Sequence, residues 1–180
     1  ILKTGVCLIL DEAYIDFTDC TAVALTKNYN NLFVLRTFSK AFGLAGLRAG
    51  YVCSNPENIR EINKVRNVKQ VTDAARIGIL WSLENMDIIQ GNINDLIARR
   101  DVLYDELSDI RGLEVYSSTA NFLLVKALRC SEFISFCGER GLLVRDRQAL
   151  HGLSSCFRVS IGTADEMEIF MKLVGEFYDI

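Results

Sequence analysis

Lys40 stands in "RTFSKAFGLAGLRAG" (residues 36–50), directly after Ser39 and ahead of Gly43, Gly46 and Arg48. Lysine belongs on solvated surfaces, and a surface loop is the ordinary reading of one. An amine in partly desolvated surroundings has a lowered pKa and becomes a nucleophile able to form a Schiff base with an aldehyde. Gly43 and Gly46 remove side chains where something must come close to the backbone. Arg48, with the hydroxyls of Thr37 and Ser39, makes a phosphate site by charge and bidentate geometry. The spacing is neither the dinucleotide fingerprint nor the Walker P-loop.

A second constellation is "DEAY". Asp11 and Tyr14 lie three residues apart, just past an apolar run. An aspartate there either caps turn amides or carries its charge into a cleft beside a phenol. An aldehyde-trapping lysine, an anion-binding arginine and a strand-end carboxylate together suit pyridoxal 5′-phosphate. That cofactor has an aldehyde, a phosphate and a pyridine nitrogen that takes an acidic partner.

The elements that must position these groups are legible as patterns. "GVCLIL" (5–10) and "NLFVLR" (31–36) are continuous apolar runs and predict strands buried on both faces, of the parallel-sheet kind. "RAGYVCS" (48–54) predicts a third strand, followed by Asn55 as N-cap and Pro56 as first helical residue. Ligands of open α/β sheets bind at the carboxyl ends of strands, which puts Asp11, Tyr14, Ser39 and Lys40 in one cleft. Residues 71–84 predict a helix with Ile77, Leu80 and Trp81 on its core face. Residues 86–110 predict a long amphipathic helix with a stripe of Ile89, Ile93, Leu96, Ile97, Val102, Leu103 and Leu107. Beyond it the pattern is α+β: strands at "LEVY", "NFLLVKA", "LLVRD" and "CFRVSIG", a helix from Ser131 as N-cap to Gly141, and a closing helix over "ADEMEIFMKLVGEFYDI".

Composition narrows the function classes. The chain has 180 residues, half of them hydrophobic, and a net charge of −3. That is enough for a real core. No basic stripe marks a nucleic-acid partner, and no apolar run reaches membrane-spanning length. The six cysteines form no C-x-x-C pair and His151 is the single histidine. Reduced, buried thiols in a cytoplasmic protein are therefore expected, with no metal site and His151 in a loop. The chain opens almost at once into a strand pattern, which is expected of a fragment of a longer polypeptide.

With these motifs in order, "LILDEAYIDF" followed by "VLRTFSKAFGLAGLRAGY" resembles the fold-type I, class I/II pyridoxal-phosphate-dependent aminotransferases, most of all the histidinol-phosphate aminotransferases among them. "GLLVRD" and "CFRVSIGT" are similar to the C-terminal motifs of that family, so the chain is expected to be a C-terminal half. The resemblance implies an α/β fold. Residues 1–84 would be part of a large domain with a mostly parallel sheet, and residues 85–180 a small α+β domain that includes the long connecting helix. It implies that Lys40 carries the cofactor and moves the substrate proton, that Asp11 pairs with the pyridine nitrogen, and that Tyr14 hydrogen-bonds the 3′ oxygen. Thr37, Ser39 and Arg48 would hold the phosphate. Arg158 and Arg145 would bind anionic groups of the substrate, although Arg158 on an alternating strand also fits a solvent-facing position. Asn121 matches a family asparagine, here preceded by alanine.

The implied activity is transfer of an amino group from a donor such as histidinol phosphate to a 2-oxo acid, by a cytoplasmic homodimer. Other amino donors, aromatic ones included, a threonine-phosphate decarboxylase, or a non-catalytic truncated domain are the alternatives. The family's glycine/serine phosphate loop, the aromatic ring stacked on the pyridine and an asparagine near the 3′ oxygen are absent from the sequence. A chain of this length alone is expected to turn over little.

Overall fold

In the computed structural model, which describes residues 1–66 and 71–179, the first apolar run becomes a strand later than its composition predicts. Gly5 ends a 3-10 turn, Leu2–Thr4, in left-handed backbone (φ 78°), and strand β1 is Leu8–Asp11. β1 pairs in parallel with β2 (Leu32–Thr37), from Leu8 opposite Leu32 to Asp11 opposite Leu35. β3 (Gly50–Cys53) pairs with β2 antiparallel, so this sheet is mixed, in the order β1-β2-β3. The chain thus has the expected α/β class. Burial on both faces is not observed: Leu32 and Val34 are fully buried, but Ile9 is 64% and Leu35 40% exposed. These two lie on the opposite face, because alternate residues of a strand point to opposite sides.

Helix α1 (Pro56–Val65) starts where expected, with the Asn58 amide donating to Asn55 Oδ1 at 2.9 Å. Helix α2 (Asp73–Glu84) is capped by Thr72, whose hydroxyl accepts from the Ala75 amide at 3.2 Å. Its core face differs from the expectation. Ala75 and Ser82 are buried, while Ile77, Leu80 and Trp81 are exposed, Trp81 by 52%. The reason is close approach: a Cβ on Gly78 would stand 2.9 Å from Leu47 Cδ1, so the face that docks is the one with the small residues. Ala75 packs there with Phe38 and Ala49, flanked by Phe42, Leu44, Leu47 and Ile79.

Helix α3 (Met86–Ser108) contains the boundary between two structural units, Ile1–Ile93 and Asn94–Ile180. Its stripe is as expected at Ile89, Ile93, Leu103 and Leu107, which are buried, but Val102 is exposed. The second unit is α+β. β4 (Leu113–Tyr116), β5 (Phe122–Ala127), β6 (Arg145–Asp146) and β7 (Cys156–Ser160) form an antiparallel sheet in the order β4-β5-β7-β6. The strand expected at "LLVRD" shrinks to its last two residues. Helix α4 (Cys130–Glu139) begins ahead of Ser131, whose hydroxyl donates to Gln148 Oε1 at 3.1 Å and does not cap the helix. Helix α5 (Ala164–Tyr178) begins with a capping box: the Glu166 amide donates to Thr163 Oγ1, and the Thr163 amide to Glu166 Oε2. Ile180, expected in that helix, lies outside the described residues.

Phe133 centres the core of this unit. It is fully buried, with its ring centroid 5.1 Å from Phe157, 5.3 Å from Phe177, 5.8 Å from Tyr178 and 6.2 Å from Phe170. Of the cysteines, only Cys130, Cys137 and Cys156 are buried; Cys7 and Cys20 are exposed because neither falls inside a covered element. His151 is exposed, in the turns between β6 and β7. Among the described residues no helix is long and apolar enough to cross a membrane, and no cluster of three His, Cys, Asp or Glu side chains could hold a metal ion.

Two outcomes are expected from this packing. Phe133→Ala should destabilise the second unit by about 3–5 kcal/mol, from lost burial and the cavity left behind, measured by urea denaturation. Burial pushes the Cys130 and Cys137 thiols up to about 11 and the Tyr178 phenol to about 12. The folded chain therefore keeps protons that an unfolded thiol releases near its ordinary value of 9.0. Stability should be complete below about pH 9 and fall as pH rises to about 11, seen as a dropping urea midpoint.

Candidate functional site

The parallel pairing of β1 and β2 makes both strands exit the same edge of the sheet. Asp11 is the last residue of β1 and Thr37 the last of β2. The loops that follow carry Tyr14 on one side and Ser39-Lys40 on the other. They meet: Lys40 Nζ lies 5.2 Å from the centroid of the Tyr14 ring, a cation–π contact. Lys40 is exposed, Tyr14 and Ser39 half-buried. The loop beneath Lys40 is fixed by Phe38, buried edge-on against Phe42 at 5.0 Å and tilted against Tyr51 at 5.4 Å.

Thr37 ties this loop together. Its hydroxyl accepts from the Ser39 amide at 3.1 Å and donates to the Ala49 carbonyl at 3.3 Å. The Phe38 amide donates to that same carbonyl at 3.2 Å, so the backbone next to Arg48 is laced to the strand end. Arg48 has left-handed backbone (φ 52°), uncommon for a non-glycine residue. Its guanidinium donates to the Ala45 carbonyl at 3.2 Å. Gly43 also turns left-handed (φ 68°), which accounts for that glycine by conformation; a Cβ on Gly46 would meet no protein atom within 4 Å. Asp11 Oδ1 accepts from the Ala13 amide at 3.0 Å, as an aspartate at a strand-to-turn junction does.

Asp11, Lys40 and Arg48 share a further property. Among the described residues none of them has an ion-pair partner. Their neighbours Glu12 and Arg36, which the motif reading passed over, are paired with each other, Glu12 buried and Arg36 half-buried. The Arg36 guanidinium donates to Glu12 Oε2 at 2.9 Å from both Nε and Nη2. The available signal was an arginine closing an otherwise apolar strand, with an acid directly after the facing strand.

In the second unit, Arg145 and Arg158 are register partners on β6 and β7. Side chains of directly opposite residues share one face of a sheet. The Arg158 guanidinium stacks 4.8 Å from the centroid of Phe122, and its buried Nε has no hydrogen-bond partner. Neither arginine has a carboxylate within ion-pair distance among the described residues. Two unneutralised cations side by side form a place where an anion gains from both. Asn121 precedes β5, and its carbonyl accepts from the Ile161 amide at 2.9 Å, which ties the start of β5 to the end of β7.

Comparison with known proteins bears on all of these residues, since the sequence model of aminotransferase class I and II matches residues 1–174. The chain belongs to the class I and II aminotransferase family. It is 38% identical over 173 residues to the histidinol-phosphate aminotransferase of Ruminiclostridium cellulolyticum, covering 96% of this chain and 48% of that protein. It is 36% identical over 181 residues to the histidinol-phosphate aminotransferase of Methanocaldococcus jannaschii, covering 97% and 48%. Among solved structures, the histidinol-phosphate aminotransferase of Clostridium acetobutylicum matches with a TM-score of 0.90 at 24% identity, over 99% of this chain and 56% of that one. That of Sinorhizobium meliloti, solved in complex with pyridoxal 5′-phosphate, matches at 0.82 and 25% identity, over 94% and 48%. The chain spans about half the length of the curated relatives it matches. The expectation that this is their C-terminal half is not supported by these alignments and is not retained.

The paired arginines give a direct test. Like charges directly opposite on neighbouring strands destabilise by about 0.2–1 kcal/mol. Arg145→Gln should therefore raise stability slightly at low salt, and the gain should vanish at high salt as screening sets in. Thermal unfolding at two ionic strengths measures it.

Proposed function

We propose that the strand-end residues of the first unit hold pyridoxal 5′-phosphate, within an enzyme that transfers an amino group between a small amino donor and a 2-oxo acid. The observation that carries this reading is the set Lys40, Asp11 and Arg48. These are a carboxylate at the end of β1 and an amine and a guanidinium in the loop after β2, and among the described residues none has an ion-pair partner. The donor set fits the cofactor group by group: amine to aldehyde, carboxylate to protonated ring nitrogen, guanidinium and hydroxyls to phosphate.

When bound, pyridoxal 5′-phosphate supplies a carbonyl that captures amines and a ring that withdraws electrons from the substrate α-carbon. The remaining work belongs to the chain. Lys40 Nζ would hold the cofactor through its aldehyde group and would move the proton at the substrate α-carbon. Asp11 keeps a proton on the ring nitrogen. Tyr14 would donate to the 3′ oxygen, and Thr37, Ser39 and Arg48 would hold the phosphate. Arg145 and Arg158 hold an anionic group of the substrate, and Asn121 assists at the start of β5. With relatives named histidinol-phosphate aminotransferases at 34–38% identity, a phosphorylated amino donor of that kind with 2-oxoglutarate as acceptor is the favoured pair. In the same reading, residues 1–84 are part of the cofactor-binding domain and residues 85–180 the small domain with its connecting helix. The complete protein is a cytoplasmic homodimer, and this chain alone turns over little because about half of its relatives' length lies outside it.

Titration of the chain with pyridoxal 5′-phosphate, followed by borohydride reduction and peptide mass analysis, tests the assignment. The cofactor mass should be found on the peptide containing Lys40 and be absent after Lys40→Ala. Asp11→Asn should weaken the spectral titration about tenfold, as loss of a charge-assisted hydrogen bond does. Cofactor fixed to another lysine would sink the reading.

A further inference from the structure

Glu12 is, with Arg100, one of two buried charged residues among those described. Its side chain is 4% exposed. It accepts from the Thr21 hydroxyl at 2.9 Å, from the Ala22 amide at 2.7 Å and from the Arg36 guanidinium at 2.9 Å. Arg36, 14% exposed, reaches on to Asp16 Oδ1 at 3.5 Å and donates to Thr21 Oγ1 at 2.8 Å. The Glu12 amide donates to the Leu35 carbonyl at 2.9 Å, immediately before Arg36. One carboxylate and one guanidinium therefore fasten the chain after β1 to strand β2 at three points: residue 12, residue 16 and residues 21–22.

The site residues lie between these fastenings. Asp11 directly precedes Glu12, and because side chains alternate along an extended chain, burying Glu12 on one side turns Asp11 to the other. Tyr14 lies between the fastenings at 12 and 16. Arg36 directly precedes Thr37, whose hydroxyl receives the Ser39 amide ahead of Lys40. Desolvation raises the Asp16 carboxyl above its ordinary value, with Arg36 opposing, as expected of a group drawn toward the buried pair.

We propose that Glu12 and Arg36 are positioning residues: their ion pair, with Glu12 buried, locks the two strand-end loops together, so that Tyr14 stands beside Lys40 and Asp11 faces away from the core. The proposal rests on the functional reading above for the meaning of those residues, but the placement can be read without cofactor. The Tyr14 ring displaces the NMR resonances of the Lys40 side-chain methylene next to its amine. The key variant is Glu12→Gln with Arg36→Met, which removes both charges together, since removing one partner strands the other in the core. It should keep the shifts of the Leu32 and Val34 methyls yet lose at least half of the Lys40 displacement. It should also bind pyridoxal 5′-phosphate, used alone as the probe, about tenfold more weakly, because small misplacements cost large factors.

A folded double variant with the full Lys40 displacement overturns the proposal. Should the double variant not fold, Arg36→Lys decides. It keeps the charge but not the planar fork that reaches Glu12 and Asp16 at once, and it should still lose part of the displacement; full retention overturns the proposal. If the unaltered chain takes up no pyridoxal 5′-phosphate, the cofactor reading fails, while the Lys40 displacement still decides the positioning role.

Discussion

Parallel pairing of β1 with β2 is the constraint on which the first unit depends. Two strands running the same way leave the sheet at the same edge. With Leu8 opposite Leu32, Asp11 comes opposite Leu35, and Thr37 lies just beyond. A shift of one residue would turn Asp11 into the core and Glu12 out of it, since a slip in register exchanges the two faces of a strand. The register is held by Leu32 and Val34, which are fully buried, and by Asn31, whose amide group donates to the carbonyls of Leu2 and Val6 at the opposite edge. The loops that follow are thus rooted at one edge by the apolar packing of the two strands.

The second unit solves a different problem. Its sheet is antiparallel throughout, and β5 and β7 are central. Leu123, Val125, Phe157 and Val159 bury one face against Phe133 and Phe170. Alternation then puts Leu124 and Arg158, which are register partners, on the other face. Arg145 joins them from β6. The arginine pair follows from Leu123, Val125, Phe157 and Val159 taking the core face of β5 and β7, and its repulsion is offset by the stability of the aromatic core behind it.

The sequence carried the strand ends better than the surfaces around them. "DEAY" and "TFSK" were readable because a local motif records strand ends, turn geometry and chemistry at once. The Asn55 cap was readable for the same reason. The core face of α2 was not: hydrophobicity pointed to Ile77, Leu80 and Trp81, while the contact with Leu47 selected Gly78 and Ala75 by size. Burial of β1 and β2 on both faces was inferred from apolar runs, and the exposed Ile9 and Leu35 show that such a run reports the capacity for burial without saying what covers each face. Glu12 and Arg36 are distant in sequence, so nothing local marks them as a pair.

That pair also shows why a buried charge can be placed beside a site without adding stability. Desolvating a carboxylate and a guanidinium costs several kcal/mol per ion, and an apolar pair of equal volume is often as stable. An apolar pair, however, has no preferred direction and tolerates sliding. Arg36 has a planar fork with fixed donor directions, and Glu12 meets it with one oxygen while the other takes the Ala22 amide. These bonds fix the loop after β1 by angle as well as by distance. With Lys40 against the Tyr14 ring and Asp11 turned outward one residue before the pair, the proposed site gains from directionality what apolar packing cannot provide.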